Sequence, residues 1–309
     1  MKTLSIQATR TIEVPEIVSS VVWHPSGELI TGGGFEAGWL YTWEAKSGIL
    51  VHAAAGHTDA IACIAISPNG TLLASAGYDR QVCVWGMPSH ARLHALRGHT
   101  SRVRAVTFSP DGATLASGGD AWMIWDRATW GEIAKLNDTW NYSICALAYM
   151  PDGRYLVCAH DGGHISVWDP STGHEVATIM GELGEWVLGL AISPDGEWIA
   201  SGGDGEVVTI RDGATLRPLV QLLGHYKWPG EWNDPNIVRT VAFHPQRPFL
   251  ASGADDGTVQ LWSTESVERL AILEHPAGVS SVAFSPDGKV LVSACGAKTL
   301  TWWDLHALL

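Results

Sequence analysis

The stretch HTDAIACIAISPNGTLLASAGYDRQVCVW, residues 57–85, indicates a repeat architecture because close variants of it return along the whole chain. Its two apolar runs, Ile61–Ile66 and Leu72–Ala74, flank a Ser-Pro-Asn-Gly sequence. Proline presets φ and glycine tolerates positive φ, so the pattern predicts a strand, a tight turn and a second strand. A third strand is expected over Gln81–Trp85, after the Gly77–Arg80 turn. One such sheet cannot bury both of its faces, so neighbouring copies are expected to stack on it.

The copies can be counted on two residues of the repeat. The turn proline returns after 43, 42, 41, 43, 51 and 41 residues, at Pro25, Pro68, Pro110, Pro151, Pro194, Pro245 and Pro286. The last large residue of the third strand gives the same seven units, at Trp43, Trp85, Trp125, Trp168, Arg211, Trp262 and Trp303. A period of about 40–45 residues with four strands per unit is typical of a propeller blade. The sequence therefore predicts an all-β, seven-bladed β-propeller with four-stranded antiparallel blades.

These runs resemble the tryptophan-aspartate (WD) repeat family, whose signature is Gly-His, a Ser-Pro-Asp-Gly-like turn and then Trp-Asp. The resemblance implies one propeller over residues 1–309, with a seventh blade that lacks its own outermost strand. The N-terminal segment around Ala8–Val14 is expected to supply that strand and to close the ring. The blades are expected at about 15–50, 51–92, 93–134, 135–177, 178–219, 220–268, and 269–309 together with 3–14.

The resemblance also implies a structural hydrogen-bonded set, in which a buried His bridges Asp to Ser and Ser meets the Trp indole. Three units are expected to carry it: His57, Ser75, Asp79 and Trp85; His99, Ser117, Asp120 and Trp125; and His225, Ser252, Asp256 and Trp262. In the second of these the Asp lies five rather than six residues before the Trp. Unit four has Cys158 at the Ser position, and its network is expected to be missing. Unit five has Arg211 at the Trp position, and unit seven has Ala297 at the Asp position.

The charge of the chain disfavours one class of partner. With 32 acidic and 19 basic residues the formal net charge is −13, whereas binding to phosphate backbones needs a basic surface. The N-terminus has no continuous apolar run, and no stretch approaches the length of a membrane span. A cytoplasmic protein that binds neither nucleic acid nor membrane is expected. The five cysteines share no CxxC spacing and are expected to be buried free thiols.

Candidate partner-binding residues cluster on one predicted face. An insertion unique to unit six, Tyr226–Asn236, carries Trp228 and Trp232 in a Pro- and Gly-punctuated loop. The starts of the innermost strands and the neighbouring turns add Tyr78, Arg102, Arg104, Trp186 and Arg239. Arginines and aromatics at a channel mouth suit an acidic peptide or a carboxylate-bearing ligand. Two alternatives stay open: the loop folds back on its own blade, and each Arg pairs with an Asp of an adjacent blade.

Catalysis is disfavoured because the His-Ser-Asp grouping recurs blade after blade, as a structural network does and a unique active site does not. His160, Asp161 and His164 could reach a metal from one turn, but a solvated turn is the favoured interpretation. No catalytic, metal or cofactor-binding residue is predicted. The leading hypothesis is a non-catalytic interaction platform for a protein or peptide, either a monomer or a subunit of a larger complex. A small-ligand-binding propeller using the Trp-rich loop and the channel-mouth arginines is the alternative, and a cryptic enzyme is the third class.

Overall fold

The computed structural model describes residues 6–137, 142–180, 186–225 and 236–309. These residues form 28 strands in seven four-stranded antiparallel sheets and a short 3₁₀ helix, His306–Leu308. This is the architecture of a seven-bladed β-propeller, which confirms the predicted fold class. The chain divides into two compact units, residues 19–184 and residues 1–18 together with 185–309. No helix in the described ranges is both long enough and apolar enough to cross a membrane.

Blades one to four follow one another along the first half of the chain. Blade one contains β2 Val18–Trp23, β3 Leu29–Gly34, β4 Trp39–Glu44 and β5 Leu50–Ala55. Blade two contains β6 Ile61–Ile66, β7 Leu72–Gly77, β8 Gln81–Gly86 and β9 Ala91–Arg97. Blade three contains β10 Ala105–Phe108, β11 Thr114–Gly118, β12 Ala121–Asp126 and β13 Glu132–Asn137. Blade four contains β14 Ile144–Tyr149, β15 Leu156–His160, β16 His164–Asp169 and β17 His174–Met180.

Blades five to seven belong to the other unit. Blade five contains β18 Val187–Ile192, β19 Trp198–Gly203, β20 Val207–Asp212 and β21 Pro218–Leu223. Blade six contains β22 Val238–Phe243, β23 Phe249–Ala254, β24 Thr258–Ser263 and β25 Arg269–Glu274. Blade seven contains β26 Val279–Phe284, β27 Val290–Cys295, β28 Thr299–Asp304 and, at its outer side, β1 Ala8–Glu13.

The N-terminal strand completes blade seven, as predicted. β1 pairs with β28 in antiparallel register, with Thr11 opposite Thr301 and Ile12 opposite Leu300. The Oγ1 atoms of Thr11 and Thr301 are also hydrogen-bonded at 3.2 Å. The last blade is therefore a full four-stranded sheet built from both ends of the sequence.

The predicted blade boundaries are displaced from the observed sheets by one strand. Residues 51–55 were expected to start the second blade, but together with Leu50 they form β5, the outermost strand of blade one. Each Gly-His pair consequently lies in the connection between the outer strand of one blade and the inner strand of the next. The physical reason is that an antiparallel hairpin pairs each strand with its immediate predecessor, so β5 joins β4 by a short turn.

The core of the first unit lies between neighbouring sheets. One apolar cluster joins Leu72 and Val84 of blade two to Val106, Leu115 and Met123 of blade three, all of them buried. Alternate side chains of a strand point to opposite faces of the sheet, so a blade with a neighbour on each side presents one apolar face to each of them. All five cysteines are free, as expected, but Cys63 and Cys145 are only partly buried.

Candidate partner-binding surface

The predicted hydrogen-bonded set of blade two is assembled in full. Nδ1 of His57 lies 2.9 Å from Oδ1 of Asp79, and Nε2 of His57 lies 2.7 Å from Oγ of Ser75. The indole N–H of Trp85 donates to the same Ser75 oxygen over 2.9 Å. The His57 ring and the Ser75 side chain are both buried. These contacts tie the blade-to-blade connection to two strands of one sheet and to the turn between them, which is a structural role.

Two glycines make room for this set. A Cβ on Gly56, which precedes the histidine, would clash with the Trp85 ring. A Cβ on Gly77, at the end of β7, would clash with Nδ1 of His57. Only a residue without a side chain fits at either position, because the network occupies the space. The Gly-His dipeptide of the repeat is thus explained by packing against the indole.

The electrostatics of blade two reflect a charged pair. Burial of the ring acts to lower the pKa of His57, but the hydrogen bonds and charge interactions with Asp79 and Cys83 together outweigh it, and the pKa rises to about 9. Burial acts to raise the pKa of Asp79, but hydrogen bonds from His57 and from the Thr58 amide hold it below its ordinary value. The imidazolium and the carboxylate are therefore both favoured at neutral pH.

Blade six repeats the arrangement. Nδ1 of His225 lies 2.9 Å from Oδ2 of Asp256, and its Nε2 lies 2.7 Å from Oγ of Ser252. Trp262 donates its indole N–H to Ser252 over 2.9 Å. Blade six adds a side chain that blade two lacks, since Gln260 donates to the carbonyl of Gly224 over 2.7 Å.

Blade three assembles only part of its set. Nε2 of His99 lies 2.7 Å from Oγ of Ser117, and Trp125 donates to Ser117 over 2.9 Å. Nδ1 of His99 is 3.7 Å from Oδ1 of Asp120, which is beyond hydrogen-bond distance. The Asp120 carboxylate instead accepts a hydrogen bond from the Thr100 hydroxyl. The expectation that Asp120 joins the set is wrong, because the shortened turn holds this carboxylate away from the ring.

Without a hydrogen bond to a carboxylate, the pKa of His99 shifts in the direction opposite to that of His57. Burial dominates and lowers the pKa of His99 to about 4, although the nearby Asp120 acts in the opposite direction. His275 of blade seven has no Asp in the family position, and burial lowers its pKa to about 4 as well. Its Nε2 still lies 3.0 Å from Ser293. Loss of the carboxylate contact thus accompanies a neutral imidazole, which is buried in His99 and partly buried in His275.

Blade four contains a network that the sequence reasoning missed. Nε2 of His160 lies 2.8 Å from Oγ of Ser166, and Trp168 donates its indole N–H to that oxygen over 2.8 Å. The prediction of a missing network is therefore wrong. Ser166 stands two residues before Trp168 on β16, so both side chains lie on one face of the strand. In blades two and six the network Ser lies ten residues before the Trp, at the position that Cys158 fills in blade four. The Ser two residues before Trp168 was the signal that could have predicted this network.

The turn proposed as a possible metal site is not solvated at its histidines. His160 and His164 are fully buried, and their rings stack with centroids 3.8 Å apart. Asp161 accepts a hydrogen bond from the Ser143 amide over 2.8 Å. The solvated-turn interpretation is thus wrong for both rings. Among the described residues, no group of three or more His, Cys, Asp or Glu side chains is placed to hold a metal ion.

One edge of the blades in unit 19–184 gathers several of the predicted partner-binding residues, and we call it the upper edge. It is formed by the turns at 35–38, 78–80, 119–120 and 161–163 and by the connections at 56–60, 98–104 and 142–143. The turns join the second and third strands of each blade, and the connections lead into the next inner strand. In an antiparallel sheet these segments fall at the same end of the strands. Tyr78, Arg102 and Arg104 lie on or beside this edge.

Arg102 and Tyr78 form the central contact of the upper edge. The Arg102 guanidinium carbon lies 4.7 Å from the centroid of the Tyr78 ring, a cation–π geometry. Phe35, 42% exposed, also contacts Tyr78 in an edge-to-face arrangement, with ring centroids 5.9 Å apart and an interplanar angle of 76°. We call Phe35, Tyr78 and Arg102 the aromatic–arginine patch. The contact between Phe35 and Tyr78 was not among the predictions made from the sequence.

Backbone hydrogen bonds hold the patch in place. The Tyr78 amide donates to the carbonyl of Ala60 over 2.8 Å, and the Val103 amide donates to the carbonyl of Gly77 over 3.1 Å. The second bond fixes the connection that carries Arg102 against the turn that carries Tyr78. The two side chains therefore meet on a rigid backbone, although 24 residues separate them in sequence.

The other two predicted arginines are engaged by carboxylates. Arg104 donates to Oδ2 of Asp161 over 3.3 Å. Arg239, in the other unit, donates to both carboxylate oxygens of Asp255, over 2.5 and 2.8 Å. The alternative of pairing with an Asp of an adjacent blade therefore holds for Arg104, whereas Arg239 pairs with an Asp of its own blade, blade six. Arg102, in contrast, makes no side-chain hydrogen bond or ion pair with any described residue.

The remaining candidates have separate outcomes. Trp186 precedes β18 with 51% of its surface exposed, and its carbonyl accepts a hydrogen bond from the Asp204 amide over 3.2 Å. Trp228 and Trp232 lie outside the described residues, which stop at His225 and resume at Asn236. The role predicted for the Trp-rich loop stays a prediction.

Comparison with known families agrees with this architecture. Residues 17–231 match the family model described as the IFT122 first beta-propeller, and residues 218–263 and 267–304 match the WD domain, G-beta repeat. The chain belongs to the WD-repeat β-propeller family. Membership supports, in general terms, a role as a protein-interaction scaffold, and this family is typically non-catalytic.

Individual relatives match over short stretches. Transducin beta-like protein 3 of Bos taurus is 39% identical over 77 residues, which is 24% of this chain and 10% of the relative. A coronin-like protein of Saccharomyces cerevisiae is 33% identical over 92 residues, covering 29% of this chain and 13% of the relative. Human apoptotic protease-activating factor 1 is 32% identical over 99 residues, covering 29% and 7%. The matched part of this chain thus spans about an eighth or less of each of these relatives.

Proposed function

We propose that this chain is a non-catalytic interaction platform that binds a protein or peptide partner on the upper edge of unit 19–184. The observation that carries the proposal is the Arg102 guanidinium stacked on Tyr78 beside the exposed ring of Phe35. Arginine and aromatic side chains are enriched among the residues that dominate binding energy at interfaces. A propeller presents them on stiff strands, so little ordering entropy is lost when a partner binds.

The partner segment is acidic and carries an apolar side chain. The cation–π contact with Tyr78 leaves the N–H groups of the Arg102 guanidinium without an acceptor among the described residues, so a carboxylate can accept two of them. The adjacent Phe35 offers apolar contact to a neighbouring side chain. On a chain with a net charge of −13, an arginine without an acidic partner among the described residues favours an acidic ligand locally.

The buried His-Ser sets support a non-catalytic role. Ser75, Ser117 and Ser252 are fully buried, and each accepts an indole N–H. A nucleophilic serine has to meet its substrate, and these hydroxyls are covered by their own blade. The same grouping in three blades fits a role in folding. A cytoplasmic location is part of the proposal, and fractionation of the native cells tests it.

A labelled acidic peptide tests the chemistry of the patch. The probe is a fluorescein-labelled ten-residue peptide of alternating Glu and Phe, and the reference is the same peptide with Gln in place of Glu. We expect Arg102→Ala and Phe35→Ala each to weaken binding of the Glu peptide at least tenfold, about 1.4 kcal/mol. The matched control is Arg154→Ala, because Arg154 also lies over a tyrosine, Tyr155, at 5.1 Å, but at the opposite edge of its blade. Equal binding of the Glu and Gln peptides would contradict the acidic preference.

A further inference from the structure

The opposite edge of the same unit contains a groove between blades three and four. We call this edge, formed by the turns between the first and second and between the third and fourth strands of each blade, the lower edge. The groove has a volume of about 600 Å³ and is lined by Ser109, Pro110, Asp111, Thr114, Ile124, Ile133, Tyr149, Pro151, Asp152, Gly153, Pro170 and Ser171. It is separate from the aromatic–arginine patch, since the strands run between the two edges.

The apolar surface of the groove is formed by a residue of an outer strand and by prolines of the turns. Ile133, on the outer strand β13, is 56% exposed, which is high for an isoleucine in a sheet. A Cβ built on Gly153 would lie 3.7 Å from Cδ of Pro110, so the turn of blade four rests on the turn of blade three. Tyr149 is nearly buried, and its hydroxyl lies 3.2 Å from Oγ1 of Thr114. Two tight turns in contact give the groove a rigid wall.

The charged part consists of two carboxylates, and in each of them only one oxygen accepts hydrogen bonds from its own turn. Oδ1 of Asp111 accepts the Ser109 hydroxyl over 2.6 Å and the Ala113 amide over 2.9 Å. Oδ1 of Asp152 accepts the Arg154 amide over 2.9 Å. No described residue donates to Oδ2 of either aspartate, and the residues lining the groove include no Lys or Arg. The Ser109 hydrogen bond holds the pKa of Asp111 below its ordinary value, so this carboxylate is ionised at neutral pH.

We propose that this groove is a second docking surface, which binds a basic partner segment carrying Arg or Lys next to a leucine-like side chain. Charge complementarity decides the occupant: two carboxylates in a groove whose lining includes no Lys or Arg attract a guanidinium or ammonium group. Ile133 and the prolines contact the apolar neighbour. The two edges of unit 19–184 thus differ in the charge of the partner they take, acidic at the patch and basic at the groove, and one chain can hold two partners at once.

The test uses the full chain and a defined probe. The probe is a fluorescein-labelled ten-residue peptide of alternating Arg and Leu, and the reference peptide has Glu in place of Arg. Binding of the probe is expected to weaken at least tenfold in the double variant Asp111→Asn, Asp152→Asn. Asparagine keeps an oxygen for the turn hydrogen bonds, so the fold is preserved while the charge is removed.

Matched controls separate the groove from general electrostatic attraction. Asp195 of blade five accepts the Ser193 hydroxyl over 2.5 Å in the same kind of turn, but it is not part of the groove. Asp195→Asn is expected to leave probe binding within twofold. Ile133→Ala is expected to weaken binding about fivefold, whereas Leu93→Ala, a 49% exposed residue on the outer strand of blade two, is expected to have no effect.

The site of binding is read out directly by cross-linking. A probe with photoreactive leucine is expected to label the segments 109–114 and 149–153 in the wild-type chain. The proposal is overturned if labelling falls outside these segments, if Asp195→Asn weakens binding as much as the double variant, or if the double variant binds as tightly as the wild type.

Discussion

Nδ1 of His57 lies 2.9 Å from Oδ1 of Asp79, whereas the corresponding atoms of His99 and Asp120 are 3.7 Å apart. In each blade, Nε2 of the histidine also lies 2.7 Å from Oγ of a buried serine. Asp79 therefore makes a hydrogen bond that Asp120 does not make. The pKa of His57 is raised by Asp79, with further contributions from Cys83, whereas burial lowers the pKa of His99. The pair provides an internal comparison for what the carboxylate contributes.

A double-mutant cycle measures that contribution to stability. We expect His57→Ala and Asp79→Ala each to lower the free energy of unfolding by about 1–3 kcal/mol, because each leaves a buried partner without its hydrogen bond. The two losses should be less than additive. The matched cycle on His99 and Asp120 should be additive within about 0.5 kcal/mol. Chemical denaturation provides the data, and full additivity at His57 and Asp79 would mean that the two residues do not interact.

The pH dependence follows from the raised pKa of His57. An ordinary histidine titrates near 6.5, and His57 in the folded chain titrates at about 9. Its contribution to stability is therefore complete below about pH 6.5 and is lost as the pH rises through about 9. NMR titration of ring carbons in histidine-labelled protein gives the folded pKa, with Asp79→Asn as the comparison. A value for His57 at or below 6.5 in the wild-type chain would contradict the charged pair.

His99 is expected to behave in the opposite sense. Its pKa of about 4 lies below that of the unfolded chain, so its contribution is complete above about pH 6.5 and is lost as the pH falls through about 4. The same NMR titration should show the His99 ring neutral at pH 6. A ring that is already protonated at that pH would show that Asp120 does reach it in solution.

The network of blade four makes a separate prediction. Ser166→Ala removes the oxygen that meets both His160 and the Trp168 indole, so we expect a loss of about 1–3 kcal/mol. Ser171→Ala, on an exposed turn of the same blade, should cost less than about 0.5 kcal/mol. Thermal melts of the two variants decide the matter. Equal melting temperatures would mean that Ser166 does not stabilise the blade.

The N-terminal strand should carry measurable stability. Removing residues 1–13 deletes β1 and uncovers the edge of β28, and we expect the melting temperature to fall by several degrees. Removing residues 1–5 leaves every residue of β1 in place and is the control. If the chain without residues 1–13 melts like the control, pairing of β1 with β28 contributes nothing to stability.

Features with a fixed spacing along the chain could be predicted from the sequence, and features that depend on contact between blades could not. The seven turn prolines and the Ser and Asp positions before Trp85 and Trp262 follow from the geometry of a single hairpin. The predicted hydrogen bond between Asp120 and His99 does not form, because a turn two residues shorter changes the direction of the carboxylate. Ser166 was missed because the expected position was filled by Cys158. The meeting of Arg102 with Tyr78 depends on how one blade packs on the next, and no local pattern encodes it.

Capture of partners from the native cells shows whether the aromatic–arginine patch is the partner-binding surface. Tagged full-length wild-type chain, the double variant Phe35→Ala, Arg102→Ala and the control Arg154→Ala are used as baits, with circular dichroism to verify that each is folded. We expect a set of proteins that is retained equally by the wild type and by Arg154→Ala and that falls at least tenfold with the double variant. The same set retained at equal levels by all three baits would contradict the claim and would move the partner site away from Phe35, Tyr78 and Arg102.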